Sequence, residues 1–296
     1  MADSAQKIHR PKLGLIGLGL MGHGIGRNLL KHGFDLTVLG NVNRQPVESL
    51  VNLGAADSIT LPALVGHVDM IILCVTGSPQ VESLVYGSQG ILAHGRRGQI
   101  VIDCSTSQPS SSARIHADLA EAGITFVDAP LGRTPVEAEE GRLNTMVGAS
   151  AEVLETIRPV LQSFCENIIH VGDVLSAQKL KLINNFVVVG TVALLTEALR
   201  SCDQVGVKRE ALHSLMSKGP LNSPLLQLTV ERILNGQLDG MKFSIRNAQK
   251  DISYFKHMVE DGRDAASLSA DLDRVLTLAV EQGLGDCFLP SLVKAH

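Results

Sequence analysis

The sequence predicts an α/β chain, with a parallel doubly wound sheet in its first half and an all-α region after it. Short apolar runs alternate with helical patterns up to about residue 176. The first of those runs leads straight into a glycine-rich turn, and from Ala177 onward the pattern is helical with no strand signal. Alternation of this kind implies βαβ units and a parallel sheet.

The elements follow in order. Residues 1–12, MADSAQKIHRPK, are polar and lack the apolar centre of a signal peptide, so a short disordered tail is expected. Leu13 to Ile16 reads as a buried strand, and a helix runs from about Met21 to His32, stopped by Gly33. Further strands are expected at Leu36 to Leu39, Met70 to Val75, Ile100 to Ile102 and Thr125 to Val127. Right-handed crossovers would place every carboxyl end of these strands on one edge, where ligands collect. After about Ser176 comes a long apolar helix, Ala177 to Val205, closed by Gly206. Helical segments then break at Gly219-Pro220, Asn235-Gly236, Gly262 and Gly283. The expected domains are therefore 1–176, binding a dinucleotide, and 177–296, a helical domain for substrate and dimerisation. The long helix is apolar nearly all round, so it should be buried, either within its own domain or against another subunit.

Composition narrows the function classes. A chain of 296 residues with 45% hydrophobic and 19% charged residues is globular and long enough for about two domains. Its net charge of -4 carries no basic footprint for nucleic acid, so an anionic substrate would need a local positive site. Five scattered cysteines without C-x-x-C spacing argue against a disulfide framework or a zinc site, and suit a reducing cytoplasm. Cys104 has no histidine placed to activate it and is expected to be a small packing residue. The ten histidines form no ligand pattern, and no metal is expected. No uninterrupted apolar run approaches the ~20 residues of a membrane span.

Gly17-Leu18-Gly19-Leu20-Met21-Gly22 satisfies G-x-G-x-x-G between a strand and a helix. The first glycine allows the turn, the second admits a pyrophosphate close to the backbone, and the third lets the helix pack on the strand. The free amides of the helix then face the phosphates. The first half is thus a Rossmann-type dinucleotide domain, with Gly17, Gly19, Leu20, Met21 and Gly22 as cofactor ligands. Val75 and Thr76, at the end of the third apolar run, are expected to line the same cofactor. Leu39 is followed by Gly40-Asn41-Val42-Asn43-Arg44, with no acid to bind a ribose 2′-hydroxyl. Arg44, beside Asn41, could instead pair with a 2′-phosphate, which favours NADP(H). The alternative is that Arg44 is a solvated loop arginine and NAD(H) binds.

With these motifs the chain resembles the β-hydroxyacid dehydrogenases, the 3-hydroxyisobutyrate dehydrogenase-like family. Gly17 to Gly22, Asp103-Cys104-Ser105-Thr106, Asp128-Ala129-Pro130 and Lys181-Leu182-Ile183-Asn184-Asn185 occur in that family's order. The resemblance implies that Lys181 is the catalytic acid/base, with Ser105 hydrogen-bonding substrate near the nicotinamide. It also matches Lys250-Asp251 to a second lysine that closes the site or touches cofactor. The chemistry agrees with the first role, because an ammonium can protonate and stabilise the alkoxide left by hydride transfer. Lys181 and Asn185 stand four apart on one helix face and could address one substrate. The plainer alternatives are a snorkelling Lys181, a Ser105 that caps the helix near Pro109, and a surface Lys250.

One segment departs from the family. After Asp128-Ala129-Pro130 most members resemble Val-Ser-Gly-Gly, whereas this chain reads Leu131-Gly132-Arg133-Thr134. In that segment it is most similar to the sulfolactaldehyde and succinic semialdehyde reductase branch. The fork of Arg133, with Gly132 and Thr134, could hold a sulfonate or carboxylate at the far end of the substrate. Alternatively, Arg133 forms a local ion pair with Glu137 or Glu139. The expected function is reversible NAD(P)H-dependent reduction of a short anionic semialdehyde, in a cytoplasmic homodimer or homotetramer. The rivals are 3-hydroxyisobutyrate or tartronate semialdehyde chemistry and, from another class, a silent NADP(H)-binding module.

Overall fold

The computed structural model describes residues 10–259 and 267–295, so residues 1–9 of the expected tail and the break at Gly262 lie outside the described residues. Lys12 of that tail is not free, its N donating to Asp69 Oδ2 at 2.9 Å. The chain divides into two compact units between Gln178 and Lys179.

The first unit is a doubly wound α/β sheet. Its elements run β1 (Leu13–Ile16), α1 (Gly22–Lys31), β2 (Leu36–Leu39), α2 (Gln45–Asn52), β3 (Ala56–Asp57), α3 (Leu61–His67), β4 (Met70–Leu73), α4 (Ser78–Tyr86) and α5 (Ile91–His94). They continue through β5 (Ile100–Asp103), α6 (Pro109–Glu121), β6 (Thr125–Asp128), β7 (Leu131–Gly132), α7 (Pro135–Glu140), β8 (Leu143–Gly148), α8 (Ala151–Leu161) and β9 (Cys165–Gly172). The strand order is β3-β2-β1-β4-β5-β6-β8-β7, with β9 on β8. The first six strands in that order pair in parallel, whereas β8 is antiparallel to β6 and β7. Apolar residues of the central strands fill the two faces. Leu13, Leu15, Ile72 and Ile102 pack on one side and Ile16, Ile71, Leu73 and Val101 on the other, all buried. That period of two explains the continuous apolar runs in the sequence.

Four strands were not expected. β3, β7, β8 and β9 carry Asp57, Gly132, Asn144 and Thr145, and Glu166, Asn167 and His170. β3 and β7 are only two residues long and β9 is largely exposed, so no apolar run marks them, and β8 is buried but Asn144 and Thr145 interrupt its apolar run. The expected Met70 to Val75 strand ends at Leu73, although Cys74 N still donates to Ile16 O at 2.9 Å.

The second unit is helical. The helix α9 (Ser176–Val205) begins in the first unit and carries into the second. After it come α10 (Arg209–Ser217), α11 (Pro224–Leu226), α12 (Arg232–Leu234), α13 (Ile245–Val259) and α14 (Leu268–Ala279). A π turn, Gln227–Glu231, joins α11 to α12, and Leu289–Lys294 forms a short 3₁₀ turn. Val189 and Val192 of α9 are buried among Ile245, Ile252, Leu272 and Leu276. Leu195 and Leu199 are buried with Leu226, Val230 and Ile233. Among the described residues α9 is the one helix long and apolar enough, by length and composition, to cross a membrane. Leu180, Ile183, Val187 and Leu194 on that helix are exposed.

Two buried aspartates organise the carboxyl edge of the first unit. Asp128, at the end of β6, accepts from Leu175 N (2.7 Å) and Gln178 N (2.9 Å). It therefore caps α9 from across the fold, where Leu175 itself turns with φ of 79°. Asp103, at the end of β5, accepts from Ser105 N (2.9 Å) and Ser107 Oγ (2.8 Å). The Gln178 side chain closes the loop, donating to Ser105 O (2.8 Å) and accepting from Ser107 N (3.0 Å).

Close packing of helix against helix sets a further constraint. A Cβ on Gly24 of α1 would lie 2.4 Å from the carbonyl carbon of Ala138 in α7, whereas one on Gly66 of α3 would meet nothing within 4 Å. Gly24→Ala is expected to destabilise by about 1–3 kcal/mol through overpacking, and Gly66→Ala to be neutral or stabilising. Thermal melts of the two variants check this pair.

Asp103 generates a pH effect. Burial pushes its carboxyl from the usual 3.8 up to about 6, against the hydrogen bonds from Ser105 and Ser107, and the Asp128 charge adds to the rise. Because the folded pKa is the higher one, protonated Asp103 favours the fold. That contribution is complete below the unfolded pKa and is lost as pH rises through about 6. The shift corresponds to roughly 3 kcal/mol. Relative to Asp103→Asn, which keeps an acceptor for Ser105 N, the wild type should lose stability by that order between pH 4 and pH 7. Urea melts at both pH values measure it, and a constant difference would refute the coupling.

Candidate functional site

The glycine turn has the shape a dinucleotide needs. Gly17 turns with φ of 93°, and a Cβ there would lie 2.2 Å from Cys74 O. A Cβ on Gly22 would lie 1.8 Å from Gly17 O, so β1, β4 and α1 meet on bare backbone at both positions. Around Gly19 a Cβ would meet nothing within 4 Å. That open space at the amino end of α1 fits a pyrophosphate, and no acidic residue stands in the first turn of the helix to repel it. Leu20 is exposed at the tip of the turn and Met21 is half-buried behind it.

The ribose edge lies at the carboxyl end of β2. Asn41 and Arg44 are exposed there, and Arg44 forms an ion pair with Asp57 at the end of β3. Arg44, read from the sequence as a partner for a 2′-phosphate or else as a solvated loop arginine, is thus exposed but paired with Asp57.

Val75 lies just beyond β4, and its N–H donates to Ser105 Oγ at 3.0 Å. Ser105 is almost wholly buried, with its amide on Asp103 and its carbonyl on Gln178. Held at three points, its hydroxyl accepts from Val75 N and also hydrogen-bonds the Asp103 carboxylate. Ser105 therefore does not cap the helix at Pro109, whose N-cap residue is Gln108. Gln178 was not singled out from the sequence. Its signal, a glutamine three residues before Lys181, is a spacing that acquires meaning only once α9 is seen to start beside Ser105's loop. Cys104 packs in the core, and burial pushes its thiol well above the ordinary value.

The loop after β6 is arranged differently from the expectation. Arg133 has φ of 75°, a left-handed conformation in a position where most of the resembled family carries glycine. Its Nη1 donates to Arg142 O and to Glu166, so the ion pair forms with neither Glu137 nor Glu139. Thr134 and Glu137 form a capping box at the start of α7, with Thr134 N donating to Glu137 Oε2 at 3.0 Å. Gly132 lies in β7, half-buried, paired with Asn144.

The second unit supplies an electrostatic cluster. Asp251 of α13 is buried, and its Oδ2 accepts from Asn185 Nδ2 at 2.6 Å. Lys250 Nζ lies 2.9 Å from Asp251 Oδ1 and over the Tyr254 ring at 5.1 Å. Lys181, one helical turn before Asn185, feels both charges. Burial lowers its pKa below the usual 10.5, the Asp251 carboxylate opposes that shift, and the Lys250 ammonium reinforces it. Lys181 is half-buried on α9. Asp251 was visible in the sequence only as the neighbour of Lys250. Among the described residues no group of three or more His, Cys, Asp or Glu is placed to hold a metal ion.

Comparison with known proteins agrees with this geometry. Residues 12–172 match the model of the NAD binding domain of 6-phosphogluconate dehydrogenase. Residues 176–294 match the NAD-binding domain of NADP-dependent 3-hydroxyisobutyrate dehydrogenase. The chain is 30% identical to 2-(hydroxymethyl)glutarate dehydrogenase of Eubacterium barkeri, over 96% of this chain and 94% of that protein. It is also 30% identical to 3-sulfolactaldehyde reductase of Escherichia coli, over 69% of this chain and 68% of that protein. A solved Mycobacterium tuberculosis 3-hydroxyisobutyrate dehydrogenase superposes with a TM-score of 0.85 at 21% identity, covering 96% of this chain and 98% of that one. The chain belongs to the β-hydroxyacid dehydrogenases, NAD(P)-dependent oxidoreductases that act on CH–OH groups.

Proposed function

We propose that this enzyme reversibly reduces a short semialdehyde bearing an anionic group to the hydroxy acid, with NADP(H) preferred over NAD(H). The observation that carries the reading is Lys181, one helical turn from Asn185 and beside the Asp251–Lys250 pair, with a pKa that burial lowers below the usual 10.5. A bound reduced nicotinamide supplies hydride to the carbonyl carbon. Lys181 Nζ delivers a proton to the carbonyl oxygen as charge develops there, and in the oxidative direction the neutral amine takes it back. Asn185, tied to Asp251, orients the polar end of the substrate from the same helix face. Ser105 hydrogen-bonds substrate near the nicotinamide, and Lys250 steadies Asp251 and the cofactor side.

For the distal anion we retain Gly132, Arg133 and Thr134. Nη1 of Arg133 is committed to Glu166, and the rest of its fork would face the substrate. The leading substrates are of the sulfolactaldehyde or succinic semialdehyde type, and the alternatives are 3-hydroxyisobutyrate and tartronate semialdehyde. The name of the relative matched over 96% of this chain adds 2-(hydroxymethyl)glutarate, another anionic hydroxy acid. The helical domain, 177–296, is assigned to substrate and subunit contacts. The exposed stripe Leu180, Ile183, Val187 and Leu194 on α9 supports a homodimer or a homotetramer. Five free thiols suit a cytoplasmic enzyme.

Initial rates with NADPH and NADH against sulfolactaldehyde and the succinic, tartronate and methylmalonate semialdehydes, and with 2-(hydroxymethyl)glutarate in the oxidative direction, test the reading. One anionic substrate should turn over. Lys181→Ala should lose at least ~100-fold in kcat, since general acid catalysis contributes about 10²–10⁴. The reductive rate should fall as pH rises through the Lys181 pKa, with an inflection below 10.5. Turnover of none of the panel, with cofactor still bound, would instead favour a non-catalytic NADP(H)-binding module.

A further inference from the structure

The ribose edge holds a feature that the dinucleotide fold does not require. In this fold an acid about 20 residues beyond the glycines would mark an NAD enzyme. Here that stretch contains Gly40, and a Cβ on it would lie 2.2 Å from Val47 Cγ2 and 3.3 Å from Arg44 Nη1. Val47 and Arg44 occupy the room a side chain at residue 40 would need. The carboxylate at this edge comes from the next strand instead. β3 pairs with β2 in parallel, Val38 opposite Asp57, so Asp57 stands beside the end of β2 and engages Arg44. Both partners are partly exposed, with side-chain exposures of 45% and 33%, so the pair contributes little to stability and is open to a ligand.

We infer that Asp57 is a specificity-determining residue that acts through Arg44, setting how strongly the enzyme prefers a 2′-phosphate over a 2′-hydroxyl. This rests on the reading of Arg44 as the partner of the 2′-phosphate. In the free enzyme the carboxylate holds the guanidinium fork at the ribose edge, so that less side-chain freedom is lost on binding. Once a phosphate arrives, the same carboxylate competes for the fork and repels a group carrying close to two negative charges. The repulsion is absent for a 2′-hydroxyl. Asp57 therefore moderates the preference for NADP(H) and leaves NAD(H) within reach. Asn at this position would keep an acceptor for Arg44 and remove the charge, while Ala would remove both.

The test is equilibrium binding, read from nicotinamide fluorescence for NADPH and NADH, and by calorimetry for adenosine 2′,5′-bisphosphate and AMP. Asp57→Asn should tighten NADPH and the bisphosphate by roughly 3–10-fold, leave NADH and AMP within about 2-fold, and lose most of that gain at 0.5 M salt. Asp57→Ala should gain less than Asp57→Asn for the phosphorylated pair, because Arg44 is no longer held. Arg44→Ala separates the two levels of the argument. If it weakens NADPH selectively while Asp57→Asn leaves the NADPH to NADH ratio unchanged or lowers it, the inference about Asp57 is overturned and the reading of Arg44 stands. If Arg44→Ala leaves NADPH binding unchanged, that reading falls, and the inference falls with it. Thermal melts without cofactor establish that each variant is folded.

Discussion

A carboxylate buried at the end of a parallel strand must find hydrogen-bond donors, and the first unit turns that requirement into architecture. Asp103 and Asp128 end the neighbouring strands β5 and β6, opposite one another in the parallel register. Neither meets a cation in the contacts that fix it. Each is satisfied by amides and, for Asp103, a serine hydroxyl. Leaving such acceptors unmet would cost more than any single contact here gains, so the loop after β5 and the start of α9 are obliged to present their amides. Gln178 then joins the two, bridging Ser105 and Ser107 from the first turn of α9. The same bonds that settle the polar debt of the sheet edge hold Ser105 in one orientation.

In the second unit the corresponding logic is electrostatic. A buried lysine is less basic than a solvated one, and a neighbouring carboxylate opposes that shift. Burial and the nearby Lys250 push Lys181 towards neutrality, and Asp251 holds it back. Asp251 can do so because Asn185 and Lys250 occupy its two oxygens. The Lys-x-x-x-Asn spacing on α9 and the Lys-Asp pair on α13 are thus two halves of one charge arrangement.

The loop after β6 shows how a backbone conformation can outlive the residue that makes it easy. Arg133 takes a left-handed conformation at an energetic cost that glycine would escape, and its side chain is anchored by Glu166 and Arg142. Thr134, read from the sequence as a substrate ligand, also closes the capping box of α7. The strained position is over-determined by Arg142, by Glu166 on β9 and by the cap of α7.

The sequence by itself determined the elements whose signals are local. A buried central strand shows as an apolar run, so Leu13 to Ile16 and Leu36 to Leu39 were legible to the residue. The glycine turn was legible because bare backbone is the only chemistry that permits its contacts. Lys181, Asn185 and Ser105 were picked out as candidates through the order of motifs. Tertiary structure decided what depends on pairing across distance. It showed the exposed strands β3 and β9, which pair beside β2 and β8, and the buried β8, whose apolar run Asn144 and Thr145 interrupt. It also revealed Asp128 as the cap of a helix 47 residues away, Gln178 as the clamp on Ser105, and Glu166 and Asp57 as the partners of Arg133 and Arg44. Hydrogen bonds and ion pairs between remote residues leave no period in a sequence, because either partner alone reads as an ordinary polar residue.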